Sequence, residues 1–158
     1  MIRLIRHARA GSRASWDGDD RHRPLSARGM RQAAAIADAL GEGPEIPAVL
    51  SSPFTRCIET VAPLAARLGT TPEAVDWLAE GTPPETVVAR IPHLVPGTVL
   101  CSHGDVIGGV VGYLASSGVP LDGEAVWPKG SIWRLEVAGG RIRAAAYLPP
   151  VEARVTSR

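Results

Sequence analysis

The stretch IRLIRHARAG, residues 2–11, joins a strand of buried character to a polar end. IRLIR has the alternation of a short apolar strand, and Arg6 and His7 follow at its carboxyl end before a run of small residues. In open α/β sheets, ligands bind beyond the carboxyl ends of the strands. A single Arg-His pair at a strand end is most often only solvated, so its meaning depends on what the other strand ends carry.

Two further apolar segments, AVLSS at 48–52 and GTVLCSH at 97–103, predict buried strands, and a weaker strand is predicted around 74–77. A polar loop, residues 11–24, follows the first strand. A first helix should begin at N-cap Ser26 and end at Gly41 and Gly43, because apolar side chains then share one face. That face is formed by Met30, Ala33, Ile36, Ala37 and Leu40.

A second helix is predicted to begin at Ser52-Pro53, with Ser at the N-cap and Pro at the first helical position. Its apolar stripe would be Ile58, Val61, Ala65 and Leu68. A short helix should follow TPPE (82–85), and VIGGVVGYLASS (106–117) predicts a helix with several glycines. The last elements read as a hairpin that turns at Gly139-Gly140.

Strands that alternate with helices predict an α/β protein in three α/β/α layers, with a mainly parallel central sheet. We expect one domain over residues 1–150 and a polar C-terminal tail over 151–158. The 45% hydrophobic content of the 158 residues is enough for a substantial core.

The charge balance argues against nucleic acid as the main partner, because 17 basic residues face 16 acidic ones. Charges interrupt every hydrophobic run before it could span a membrane, and no signal peptide is evident, so a cytoplasmic protein is expected. Cys57 and Cys101 have neither metal-ligand spacing nor a secreted context, which favours reduced, buried thiols.

His103 ends the strand GTVLCSH as His7 ends the first strand, and Arg56 lies in the first turn of the predicted second helix. Free backbone N–H groups, a guanidinium and two imidazoles should therefore meet at one edge of the sheet, which is an anion site by construction. Arg56 alone could be a surface residue paired with Glu59 or with an acid of a neighbouring loop. The conjunction of these residues in this order favours function.

Four blocks of the sequence, LIRHARA, RPLSARGMRQA, SSPFTRCIETVAPLA and VLCSHGDVI, resemble the histidine phosphatase superfamily, whose fold is phosphoglycerate-mutase-like. WPKGSIWRLE resembles the closing strand of the same family, while Ala8 stands where many members have glycine. The short length and the RPLS block are most similar to the small bacterial phosphohistidine phosphatases and to the phosphatase domain fused to some Nudix hydrolases.

The residues at these strand ends suit phosphoryl transfer through a phosphohistidine. A neutral His7 can attack phosphorus, while Arg6, Arg56 and His103 surround the phosphoryl oxygens. The resemblance implies a further phosphate contact from Arg23 in RPLS, although a solvated loop arginine is an equal reading. It also implies a carboxylic acid near Glu80 that protonates an alkoxide leaving group, with Asp105 in reserve.

Two other kinds of function compete with this one. A metallophosphatase could use His7, His22, His103, Asp19, Asp20 and Asp105, but no HxH or HExxH spacing is present and arginines repel a divalent cation, so no metal or cofactor is expected. A non-catalytic module that only binds a phosphorylated partner would need arginines but not two histidines. The pair of histidines therefore favours an enzyme over a binding module.

The substrate follows from the expected openness of the site. At this length little chain is left for insertions or a lid, which favours a phosphohistidine protein or another exposed phosphoryl group over an enclosed sugar phosphate. A nucleotide or another small phosphorylated metabolite is the alternative. No nucleic-acid or membrane partner is expected.

Overall fold

A computed structural model describes residues 1–152 of the chain. Within that range it contains seven β-strands and four α-helices. In chain order these are β1 (Ile2–Arg6), α1 (Ala27–Gly41), β2 (Val49–Ser51), α2 (Thr55–Arg67), β3 (Glu73–Ala74), α3 (Pro84–Arg90), β4 (Val99–Ser102), α4 (Gly104–Ser116), β5 (Leu121–Asp122), β6 (Ile132–Ala138) and β7 (Arg141–Leu148).

The strands form one sheet in the order β3-β2-β4-β1-β6-β7-β5. The β1–β4, β2–β4, β2–β3 and β5–β7 pairs are parallel, whereas β6 is antiparallel to both of its neighbours. The register between β1 and β4 pairs Arg6 with Ser102, so the residues after them, His7 and His103, leave the sheet side by side. The predicted α/β fold with a mainly parallel sheet is confirmed.

Each face of the sheet has its own core, because successive strand residues point to opposite sides. Ile5 of β1 packs with Ile36 and Leu64 of α1 and α2, while the neighbouring Leu4 belongs to the core that contains Ile107 of α4. The helices therefore form two outer layers on the sheet, as predicted.

The helix that follows the first loop begins as predicted, because Ser26 is its N-cap and Ser26 Oγ accepts the backbone N–H of Gly29 at 3.1 Å. The predicted burial of Met30 is wrong: its side chain is 45% exposed. Only the later positions of that face, including Ala33 and Ile36, reach the sheet.

The predicted start of α2 at Ser52-Pro53 is wrong, since the helix begins at Thr55 with Phe54 as the N-cap. The backbone N–H of Ser52 donates to the carbonyl of Cys101 at 2.9 Å and so prolongs the pairing of β2 with β4. Leu68, predicted on the apolar stripe, is the exposed C-cap residue. The weak strand predicted over 74–77 is limited to β3 and is followed by a 3₁₀ turn, Asp76–Leu78.

The terminal hairpin turns at Gly139-Gly140 as predicted, and both glycines have a positive φ. Cys57 and Cys101 are free and buried, also as predicted. None of the helices between residues 1 and 152 has the length and apolar character that crossing a membrane requires. Of the predicted polar tail, residues 153–158 lie outside the described residues.

Candidate active site

His7 and His103 lie together where β1 and β4 end, with their ring centroids 5.6 Å apart and their planes edge to face. Both side chains are buried. The parallel register of the two strands brings them together, because His7 directly follows Arg6 and His103 directly follows its partner Ser102.

The ring of His7 is held in one tautomer. Its Nδ1 lies 2.8 Å from the carbonyl oxygen of Ala8, and since a carbonyl only accepts, Nδ1 carries the proton and Nε2 a lone pair. Burial lowers the pKa of His7 to about 3 against the opposing hydrogen bond to Ala8, and the charges of His103, Arg56 and Arg6 lower it further by smaller amounts. His7 is therefore neutral at physiological pH.

The ring of His103 is held from three sides. Its Nε2 lies 2.8 Å from Ser52 Oγ, and its Nδ1 lies 3.5 Å from an Nη of Arg56. Because a guanidinium only donates, Nδ1 is the acceptor and Nε2–H donates to Ser52. The Phe54 ring packs edge to face at 4.7 Å. Ser52, which was predicted to cap α2, thus orients the ring of His103 instead.

Arg6 and Arg23 bring positive charge to the histidines. Arg6 Nη1 donates to the carbonyl of Trp127 at 2.9 Å, and its guanidinium lies against Gly104, where a Cβ would come within 2.7 Å of Cζ. Arg23 donates from Nε to Asp20 at 2.8 Å and from Nη1 to the Gly11 carbonyl at 2.6 Å. Burial lowers the pKa of Arg6, and Asp105 partly opposes that effect.

Arg56 is fully buried and is held by two carboxylates. Its Nη2 lies 3.1 Å from Asp20 Oδ2 and 3.4 Å from Glu80 Oε2, and its Nη1 donates to the backbone carbonyl of Asp20 at 2.9 Å. Hydrogen bonding from Arg23 is the main cause that lowers the pKa of Asp20. Asp20 thereby links two of the predicted phosphate-binding arginines.

A cavity of about 630 Å³ opens in front of the two histidines. Its walls include five of the six site residues named from the sequence, and also the reserve acid Asp105; Arg56 lies beside the cavity rather than in its wall. The lining residues are Arg6, His7, Ala10, Gly11, Ser12, Arg13, Arg23, Glu80, His103, Gly104, Asp105, Gly108, Trp127 and Lys129.

The carboxylates of Glu80 and Asp105 occupy different places in that wall. Glu80 Oε1 lies 3.2 Å from Arg13, and its other oxygen faces Arg56. Asp105 Oδ2 accepts the backbone N–H of Gly81 at 2.8 Å, so it holds the loop that carries Glu80. The two candidate acids are thus coupled through one loop.

Among the charged and aromatic residues at the site, Arg13, Trp127 and Lys129 were not named from the sequence, and Asp20 was named only as a possible metal ligand. Arg13 and Asp20 lie in the long first loop, where an aspartate-rich segment reads as solvated. Trp127 and Lys129 belong to WPKG, which precedes β6 and carried only a family resemblance. The sequence signal available for this segment was that Lys129 is the single lysine of the chain.

The candidate metal ligands do not gather into one site. Among residues 1–152, no group of three or more His, Cys, Asp or Glu side chains is placed to hold a metal ion. His7, His103 and Asp105 line the cavity, but His22 and Asp19 are not part of its wall.

Comparison with known sequences finds mycobacterial relatives of this chain. The chain is 31% identical to the 8-oxo-(d)GTP phosphatase of Mycolicibacterium smegmatis, over 94% of this chain and 48% of that protein. It is 58% identical to an uncharacterised protein of Mycobacterium tuberculosis, over 27% of this chain and 21% of the relative. The matched region thus spans about half the length of the first relative and about a fifth of the length of the second.

Solved structures show the same fold. The protein histidine phosphatase SixA, complexed with tungstate, superposes with a TM-score of 0.73 at 23% identity over 93% of both chains. A mycobacterial glucosyl-3-phosphoglycerate phosphatase superposes with a TM-score of 0.67 at 15% identity over 92% of this chain and 96% of its own. The model of the histidine phosphatase superfamily (branch 1) matches residues 2–83, just over half of the sequence, and the chain belongs to that superfamily.

Proposed function

We propose that this chain is a phosphatase that transfers a phosphoryl group to Nε2 of His7 and then releases it to water. The observation that carries the proposal is the state of His7, which is neutral, fixed by Ala8 with its Nε2 unprotonated, and placed in the wall of a cationic cavity. Membership of the superfamily supports a hydrolase.

The reaction has two steps. In the first, the Nε2 lone pair of His7 forms a bond to phosphorus while the bond to the leaving group breaks and its electrons go to that group. In the second, water attacks phosphorus, the N–P bond returns its electrons to Nε2, and inorganic phosphate leaves. Arg6 and Arg23 stabilise the charge of the phosphoryl oxygens throughout.

The substrate we propose is a phosphohistidine exposed on a protein. Each oxygen of Glu80 lies beside a guanidinium, that of Arg13 or that of Arg56, so the contacts of Glu80 are those of an ion-pair partner. The imidazole that leaves phosphohistidine can be protonated in advance and departs as a neutral ring, so it does not need an enzymic acid. The exposed rim at Ser12 and Arg13 leaves room for a macromolecule.

A nucleotide is the second candidate. The relative from Mycolicibacterium smegmatis is named as an 8-oxo-(d)GTP phosphatase, and its similarity extends over 94% of this chain. The indole of Trp127 and the ammonium of Lys129, both in the cavity wall, offer a surface for a base and a charge for a further phosphate.

A three-substrate comparison tests the reaction and ranks these substrates. The wild type and His7→Ala are assayed on a chemically phosphorylated histidine peptide, 8-oxo-dGTP and p-nitrophenyl phosphate. His7→Ala should abolish turnover of every substrate that the wild type hydrolyses, and acid-labile phosphate should be trapped on the wild type alone. Near-normal turnover by the alanine variant would show that another group is the nucleophile.

Glu80→Gln separates leaving groups within the same assay. Hydrolysis of the phosphate ester should fall by about 10²-fold if Glu80 acts as its general acid, while phosphohistidine hydrolysis should hardly change. Equal loss on both would assign Glu80 to binding. A kcat/KM for 8-oxo-dGTP above that for the phosphohistidine peptide would favour the nucleotide.

A further inference from the structure

A second concave surface adjoins the active-site cavity, and it is strongly cationic. It has a volume of about 420 Å³ and shares Lys129 with the active-site wall. We call it the arginine groove; it is lined by Arg9, Arg28, Arg31, Gln32, Pro128, Lys129, Pro150, Val151 and Glu152.

The cations of the arginine groove lack ion-pair partners among the residues that the structure describes. Between residues 1 and 152, no carboxylate oxygen lies within 4 Å of a side-chain nitrogen of Arg9, Arg28, Arg31 or Lys129, although Glu152 also lines the groove. The opposite wall of the active site differs, because Asp20 and Glu80 neutralise its arginines. Within residues 1–152, the groove cations are therefore without the carboxylate partners that Arg13, Arg23 and Arg56 have.

The groove rests on a connected scaffold. Gln32 of α1 accepts the Arg9 backbone N–H at 2.9 Å and donates to the Lys129 carbonyl at 3.3 Å. Its side chain therefore connects the loop after β1, which contains Arg9, to the loop before β6, which contains Lys129. The Arg9 carbonyl accepts from the backbone N–H and the hydroxyl of Ser26. Gly29 allows this approach, since a Cβ there would lie 1.8 Å from that carbonyl oxygen.

Lys129 lies in the positive field of the active-site arginines and of Arg9 in the groove. Burial lowers its pKa, and the nearby guanidinium groups of Arg6, Arg23, Arg9 and Arg56 lower it further. Neighbouring positive charges destabilise one another, and a bound anion relieves that repulsion.

We propose that the arginine groove is a docking surface for an acidic segment of the phosphorylated protein substrate. This rests on the proposed phosphohistidine phosphatase activity, since the polypeptide around a phosphorylated residue must leave the cavity across one of its rims. Arg28 and Arg31 are three residues apart on the exposed face of α1 and stay in solvent, which suits a run of carboxylates better than one small, enclosed anion. Such a surface chiefly increases the association rate and selects the partner.

The experiment compares two peptides that carry the same central histidine, one flanked by Asp and Glu and one by Asn and Gln. Binding of the fluorescein-labelled, unphosphorylated peptides is measured by anisotropy, and kcat/KM is measured on their phosphorylated forms. The variant is Arg28→Glu/Arg31→Glu. The matched control is Arg141→Glu/Arg143→Glu, an equal charge change at two exposed arginines at the start of β7, which line neither cavity.

Wild type should prefer the acidic peptide, and the groove variant should lose about tenfold in affinity and in kcat/KM for it. The loss should shrink as salt is raised, since exposed charges are screened. Turnover of p-nitrophenyl phosphate should be unchanged in both variants. Equal binding of the two peptides by wild type, or an equal loss in the control, would overturn the docking surface.

The two proposals fail differently in this experiment. Wild-type protein that hydrolyses neither the phosphorylated peptides nor p-nitrophenyl phosphate contradicts the proposed function, while anisotropy still decides whether the groove binds acidic peptide. Tighter binding of a single-stranded oligonucleotide than of the acidic peptide would show that the groove serves a different partner.

Discussion

His7 shows how one backbone contact determines what a residue can do. An exposed histidine exchanges between two tautomers and a cation, whereas the carbonyl of Ala8 and the surrounding burial leave His7 with one neutral form. The cost is a buried polar ring, which the hydrogen bond at Nδ1 partly offsets. In the proposed reaction, His7 therefore does not have to lose a proton before it attacks phosphorus.

This state of His7 can be measured directly. Since its pKa lies near 3 rather than 6.5, the His7 Cε1–H resonance should stay at its neutral position from pH 8 to about pH 5 in an NMR titration. His7→Ala assigns the signal by its loss. A midpoint near 6.5 would mean that the ring is solvated and that its reactivity depends on pH.

The same depressed pKa has a consequence for stability with a defined sign. Between pH 6.5 and pH 3, His7 is protonated in the unfolded chain but not in the folded chain. The free energy of unfolding should therefore fall as pH drops from 6.5 towards 3. In His7→Ala this fall should be smaller. Urea denaturation at two pH values in that window measures the difference.

At the scale of elements, the site depends on how closely α4 approaches β1. Gly104 begins α4, and its missing Cβ leaves the space that the Arg6 guanidinium occupies. The end of β4 thus supplies His103, and the next residue makes room for the arginine at the end of β1.

Gly104→Ala should therefore impair activity more than stability. The atoms nearest to the new Cβ would be those of the Arg6 guanidinium, which would have to move, and displacement of such a preorganised donor lowers kcat by about 10²-fold. Gly112→Ala on the same helix is the control, because nothing lies within 4 Å of its Cβ and it should stabilise α4 by up to about 1 kcal/mol. Equal activity of the two variants would contradict the packing argument.

The helix starts show what local sequence could and could not predict. Ser26 and Ser52 both precede helices and have the side chain of an N-cap, yet only Ser26 fills that role. Ser52 instead continues the sheet pairing and bonds to His103, a residue 51 positions away. Contacts at that sequence distance carry no local signal, which is also why Asp20 was not recognised as a partner of Arg56.

The strand ends could be predicted because their signal is local in the sequence. A short apolar run followed by a histidine gives both the strand and its carboxyl end, and a parallel sheet aligns such ends automatically. His7 and His103 were therefore identified together. Met30 was misplaced because helical periodicity identifies a face but does not say where along the helix the sheet stops.

For the whole molecule, the proposed reaction requires a positive cavity and no metal ion. Vanadate, which adopts the trigonal-bipyramidal geometry of the phosphoryl-transfer transition state, should inhibit turnover competitively. EDTA should leave the rate unchanged. Loss of activity on chelation, restored by a divalent cation, would point to a metal-dependent reaction instead.

The central position of β1 also determines how this protein would lose its activity. The strand is hydrogen-bonded along both edges, to β4 and to β6, and its residues contribute to the cores on both faces. Its amides should accordingly be among the slowest to exchange with deuterium, opening only when the entire domain unfolds. Because His7 is the next residue, fraying at the sheet margins, as at the two-residue strands β3 and β5, should leave the proposed nucleophile in place, and inactivation by heat should coincide with global unfolding.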